Sequence, residues 1–237
     1  MFSLRILSFV IILSSAVLAQ YDGKTFSISS SLVYTTSAEI FLNPNSTDPI
    51  LRNRSFPVND LLNPSFDFRY RISDPLIIGL SSEFMTANQT GRNLIAFEGS
   101  NEQRLETEDG FTMIPLEASL YYLMPFSTLN FKFLMGAGAG IYFGKFSRTF
   151  GDTDVLTLNS QTAFGIHVSV SMEYIVFENL GIKLEMKFRD PEFKNKNKYE
   201  KNIVNYEDTQ VIILSDTFDT KVNVNGVTFL FGAAYYF

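Results

Sequence analysis

His167-Val168-Ser169 puts the chain's single histidine and a serine on one face of any extended segment, with Glu173 further along that face. A serine hydroxyl activated by a histidine base, itself oriented by a carboxylate, is the arrangement of nucleophilic hydrolysis. With one histidine and no cysteine, such a site must be built around His167. A thiol nucleophile, a cysteine metal site and a disulfide scaffold are all excluded. Two further groups concentrate charge. Glu98, Glu102, Glu106, Glu108 and Asp109 surround Arg92 and Arg104. They could hold divalent cations, but their spacing matches no calcium loop, and a solvated surface loop is the expectation. Lys194, Lys196, Lys198 and Lys201 follow one another with asparagines between the first three. Contact with lipid phosphates is one use for them, and a solvated loop is the expected one. The run Met135-Gly-Ala-Gly-Ala-Gly-Ile-Tyr-Phe143 opens no helix, so it is not a dinucleotide fingerprint.

The elements that would position these residues are strands. From residue 24 onward, segments with period-2 hydrophobicity alternate with segments rich in Asn, Asp, Ser, Thr and Pro. Eight strands are expected, at about 24–36, 65–73, 76–86, 111–124, 129–148, 161–177, 180–189 and 221–237. Short turns follow the second, fourth and sixth. Long loops follow the others, at roughly 37–64, 87–110, 149–160 and 190–220. Strict alternation of short and long connections is the habit of transmembrane barrels. No segment after the first nineteen residues is a long apolar run.

Each strand has one apolar face. In the second, Phe66, Phe68, Tyr70 and Ile72 alternate with Asp67, Arg69 and Arg71; in the seventh, Ile182, Leu184, Met186 and Phe188 alternate with Lys183, Glu185, Lys187 and Arg189. A soluble sandwich can show the same alternation. Three of these strands, however, alternate for about 15 residues, well beyond the usual ~5–6. The reading is therefore an all-β, eight-stranded antiparallel up-and-down transmembrane β-barrel, its apolar face toward lipid and its polar face inside. The expected interior network is Asp67, Arg69, Arg71, Glu83, Glu117, Lys132, His167, Glu173, Lys183, Glu185, Lys187 and Arg189. Charges of both signs can pair there and avoid isolated burial. Glycines at 136, 138, 140 and 144 leave room for larger inward side chains.

Residues 1–19 read as a cleaved signal peptide: Arg5, then an apolar stretch, then Val17-Leu18-Ala19 before Gln20. Residues 20–237 form the barrel domain. The net charge of -6 and the lack of a basic stripe argue against nucleic acid. No cofactor is expected.

Phe229, Phe231, Ala233, Tyr235 and Phe237 occupy alternate positions at the C-terminus. This resembles the assembly signal of bacterial outer-membrane proteins, which the barrel-assembly machinery recognises in a final strand ending in Phe; the residues that would carry it are Phe229, Phe231, Tyr235 and Phe237. The 135–143 run resembles a mid-barrel strand of small OmpX/OmpW-like barrels. The resemblance implies insertion in the outer membrane of a Gram-negative-type bacterium, both termini periplasmic, in contact with membrane lipid and lipopolysaccharide. It implies a structural or surface-interaction role around a filled lumen. A narrow channel for small or hydrophobic solutes, as in OmpW-like proteins, is the first alternative. The His-x-Ser at 167–169 also resembles that of outer-membrane lipid A deacylases, which makes a lipid A hydrolase the second. In that family the site faces lipid, whereas strand parity here turns His167 and Ser169 inward.

Overall fold

The computed structural model describes residues 23–98, 101–207, 209–213 and 217–237. The expected signal peptide lies outside the described residues. Fourteen strands are found among them: β1 (Phe26–Phe41), β2 (Ser55–Arg71), β3 (Leu76–Glu83), β4 (Met85–Glu98), β5 (Asn101–Leu123), β6 (Phe131–Phe150), β7 (Thr153–Gln161), β8 (Ala163–Phe177), β9 (Leu180–Arg189), β10 (Glu192–Tyr199), β11 (Ile203–Tyr206), β12 (Thr209–Ile212), β13 (Thr217–Asn223) and β14 (Val227–Tyr236). One short helix, α1 (Pro49–Arg52), is capped by Asp48, whose carboxylate accepts the Ile50 N–H.

Twelve strands make one antiparallel sheet, and β11 and β12 form a separate hairpin. The pairings run β1, β2, β3, β5, β6, β8, β9, β14 and return to β1. The remaining strands of the sheet prolong members of that ring. Along β5, the pair Ser82↔Leu116 is followed in unchanged register by Met85↔Met113, so β4 continues β3 past an interruption at Phe84. Phe188↔Val227 is likewise followed by Glu192↔Asn223, so β10 and β13 prolong β9 and β14 past Pro191 and Gly226. β7 leads into β8 through Thr162, and there the pairing with β6 shifts by two residues, from Phe150↔Thr153 to Tyr142↔Ala163.

Three of the expected loops are therefore corrected. Residues 87–98, 101–110, 149–150, 153–160 and much of the described part of 190–220 are strand, and β2 begins ten residues earlier than expected. The reason is an inversion of faces. In the lower part of the sheet, near the short turns, the outward side chains are apolar: Phe66, Leu80, Leu116, Val168 and Leu184 are all exposed. In the upper part the inward ones are apolar: Ala38, Ile40, Phe111, Met113, Phe146, Phe193 and Val222 form one buried cluster. Their outward neighbours are Thr112, Lys145, Lys194 and Lys221. On β6 the change falls between Phe143 and Lys145. On β1 and β2 the inward parity itself switches, at Thr36 and Asp60, with the register unchanged: Thr35↔Leu61 is followed by Ser37↔Asn59, and Asp60 has φ 58°.

Candidate functional site

Strand alternation carries the interior charges to one place, because residues two apart share a face. Arg69 is the hub of the lower cluster. Its Nη1 donates to Glu173 Oε1 (2.7 Å), its Nη2 donates to Glu185 Oε2 (2.8 Å), and its Nε lies 2.8 Å from Asp67 Oδ1. Its guanidinium also sits 4.0 Å over the Tyr121 ring. Lys183 Nζ bridges Asp67 (3.1 Å) and Glu185 (3.0 Å). The second oxygen of Glu173 accepts the Tyr236 hydroxyl at 2.6 Å. A second cluster centres on Glu117, which accepts from Lys187 Nζ (2.5 Å), Arg189 Nη1 (3.1 Å) and the Tyr142 hydroxyl (3.0 Å). Arg189 Nη2 also donates to Glu83 at 2.5 Å.

Lys132, buried as well, faces the Tyr236 ring. Arg69, Lys132, Lys183, Lys187 and Arg189 thus stand against Asp67, Glu83, Glu117, Glu173 and Glu185, all buried. Balance of this kind is what burial requires, since an uncompensated charge in a low-dielectric interior costs several kcal/mol. Arg71 lies at the sheet's lower rim, its side chain 18% exposed and 3.7 Å from Asp74.

The hydrolytic arrangement is not assembled. His167 Nε2 is 2.8 Å from Ser119 Oγ. Glu173 is engaged by Arg69 and Tyr236, so it does not orient the histidine. Ser169 is buried against Gly136, and its hydroxyl has no hydrogen-bond partner among the described residues. The glycines of β6 serve as spacers: a Cβ on Gly136 would lie 2.6 Å from the Tyr121 ring, and one on Gly138 would lie 2.8 Å from the His167 ring.

Two interior groups were missed by sequence reasoning. Asp109, from an expected loop, and Arg148, the last residue of the expected fifth strand, form a buried bidentate pair (Nε–Oδ1 2.5 Å, Nη2–Oδ2 3.0 Å). Asn93 and Thr107 donate to the same carboxylate, and Arg148 also donates to Tyr199. The signal was available: Asp109 shares the parity of Phe111, Met113 and Glu117 on β5. The acidic stretch is therefore split, with Asp109 buried and Glu106 and Glu108 on the periphery.

No protein-family model matches the chain, and no curated protein matches it. Solved structures do. The outer membrane protein OprG from Pseudomonas aeruginosa is 14% identical over 92% of this chain and 98% of its own, with a TM-score of 0.62. The chain shares the fold of that outer-membrane protein. AlkL (14% identity, 92% of each chain, TM-score 0.48) and the Neisserial surface protein A (15%, 90% and 97%, TM-score 0.45) align less closely. Only the first speaks for the fold.

Two seams in this β-structure are closed differently. Between β6 and β7 the ladder is limited to Thr149↔Asp154 and Phe150↔Thr153. Below it, side chains satisfy the β6 backbone: Asn195 Oδ1 accepts the Phe146 N–H (3.1 Å), and Asn195 Nδ2 and Ser160 Oγ donate to the Gly144 carbonyl. Between β2 and β4 no ladder exists among the described residues. The Pro64 carbonyl accepts the Phe84 N–H (3.1 Å), and Asn63 Oδ1 accepts the Thr86 N–H (2.9 Å). Pro64 has no N–H with which to return the first bond.

At the top, β11–β12 folds over the upper layer. Tyr206 stacks on Phe150 (5.1 Å) and Val204 is fully buried. Asp152, in the turn after β6, accepts from Lys201 Nζ (2.9 Å), Asn205 N–H (2.9 Å) and Asn205 Nδ2 (3.2 Å). These bonds, the one from Lys201 foremost, hold its carboxyl below the ordinary aspartate range.

Proposed function

We propose that the chain is an outer-membrane β-barrel of eight through-strands with a sealed interior, serving a structural or surface-interaction role. The register continuity of β3 with β4, β9 with β10 and β14 with β13, and the single-residue link between β7 and β8, support the strand count, the additional strands being extensions above the membrane. The outward apolar run of β6 from Phe131 to Phe143, at about 3.3 Å per residue and a tilt of about 40°, covers roughly 30 Å, close to a hydrocarbon core. The inverted faces support the same reading. Apolar residues point outward where lipid would lie and inward where water would. Termini then fall on the periplasmic side: Phe26 and Phe237 hydrogen-bond to each other at the lower rim. Phe229, Phe231, Tyr235 and Phe237 all point outward from that edge, where the assembly machinery would meet them.

The observation that carries the sealed interior is the stacking of two filled layers, the charge network below and the apolar cluster above. Single-channel recording of the purified protein in planar bilayers tests it. The expected result is a silent bilayer; steady conductance would overturn the reading.

A second reading, entry for a small apolar solute, has one observation in its favour. The sparsely bonded β2–β4 seam lies directly beside the apolar layer, near Leu61, Met85 and Phe111.

A further inference from the structure

We propose that the outward face of β10 and its neighbouring strands binds the phosphate groups of an outer-leaflet lipid through Lys194, Lys196 and Lys198, with Lys221 beside them. The proposal rests on the membrane-spanning reading above.

On β10 the inward positions are taken by Phe193, Asn195, Asn197 and Tyr199, all buried, and this forces the three lysines onto the opposite face. Lys194 stands directly opposite Lys221 of β13 in the ladder. Like charges in opposed positions destabilise a sheet, so folding alone gives no reason to collect them. Nearby acids answer Lys194, Lys196 and Lys221 incompletely. Glu192 lies 3.1 Å from Lys221 but 3.8 Å from Lys194, and Asp219, opposite Lys196, accepts a hydrogen bond from Asn45 (2.8 Å). The chain as a whole carries a charge of -6, so this face runs against the general balance.

The strand on the other side supplies the complementary chemistry. On β7, Leu156 is opposite Lys198, and Leu156 and Leu158 are 49% and 53% exposed. They continue upward the column of Phe164 and Ile166 on β8, 76% and 79% exposed. Lys145, the outward residue after Phe143, flanks that column on β6. Apolar side chains thus rise between two sets of ammonium groups. A lipid with acyl chains below and phosphates above fits this arrangement; a free phosphate would leave the leucines uncovered. Compact ammonium charges on flexible stems suit phosphates held at no fixed angle. Juxtamembrane lysines gain attraction from an anionic surface roughly in proportion to their number.

The test uses the mature protein in phosphatidylcholine nanodiscs doped with phosphorylated lipid A, enzymatically dephosphorylated lipid A, or neither. The lipid retained after affinity capture is quantified by mass spectrometry. Wild type should enrich phosphorylated lipid A at least about tenfold over the K194Q/K196Q/K198Q variant. The single K196E variant should fall in between, with a normal heat-dependent gel shift for both. Millimolar inorganic phosphate should not compete. Equal enrichment by wild type and variants, or equal enrichment of dephosphorylated lipid, would overturn the site. Full competition by inorganic phosphate would overturn the lipid assignment. A wild-type chain that never enters the bilayer would instead strike at the membrane reading itself.

Discussion

The lower and upper halves of the interior are filled by opposite means. Below, Arg69, Glu117 and their partners occupy the space with paired charges. Above, Phe111, Phe146, Phe193 and Tyr142 fill it with rings. What lies outside each half explains the difference. The lower strands turn most of their large apolar side chains toward the exterior, apart from an inward group that includes Ile77, Leu123 and Leu134, so polar residues fill most of the inside, and they are tolerated because the charges pair. In the proposed membrane setting the upper strands have water outside and use the ordinary logic of a soluble core. The two fillings differ in how they fail. A charge network is intolerant of losing one member, whereas an apolar layer accepts a substitute of similar volume.

The largest effect is expected from Arg69→Met. It leaves Asp67, Glu173 and Glu185 facing one another with Lys183 alone to balance them, and should cost about 3–5 kcal/mol. Urea titration of the folded protein in micelles reads this as a lowered midpoint. Adding Glu173→Gln should recover part of the loss, and a double variant no better than the single would argue against the pairing. Next comes Asn195→Ala, which strips the Phe146 N–H and one of the donors to the Gly144 carbonyl. About 2 kcal/mol is expected, against about 1 kcal/mol for Asn63→Ala at the β2–β4 seam. The same titration ranks them, and the reverse order would refute the contrast between seams. Phe146→Leu, a modest loss of volume in the upper layer, should cost about 1 kcal/mol. A loss as large as that of Arg69→Met would mean the halves do not differ in tolerance.

The smallest effect concerns Asp152. Its carboxyl is held below the ordinary value, so the link it gives the β11–β12 hairpin is complete above the unfolded aspartate pKa of about 3.9 and is lost as pH falls through the lower folded value. The amide resonance of Asn205 should therefore shift only in acid, and in Asp152→Asn the acid transition should vanish.

The lower half was legible in the sequence because one rule covers it. Phe66 to Ile72 and Ile182 to Phe188 alternate strictly with polar residues, and the intervening charges fall on one side without further assumption. Arg71 keeps the parity of Asp67 and Arg69 and lies at the rim beside Asp74. The upper half was misread because the rule reverses there. Glu192 to Tyr199, with Phe193 and Tyr199 inward and lysines outward, looks like a polar loop to a template that wants apolar residues outside. Thr36 and Asp60 mark one such reversal on β1 and β2, yet nothing in their identity announces a switch of parity. Asp109 could have been found by carrying the parity of Glu117 back along β5; Arg148 acquires its meaning only once β6 is known to run alongside it.

The most direct test of the account is whether the apolar outward face of the lower strands meets lipid. The mature chain, expressed in a Gram-negative host, is fractionated and run on gels unheated and heated. Recovery in the outer-membrane fraction, with a faster-migrating unheated band that shifts on boiling, is the predicted result. A protein found in the soluble fraction, with identical mobility before and after heating, would contradict it.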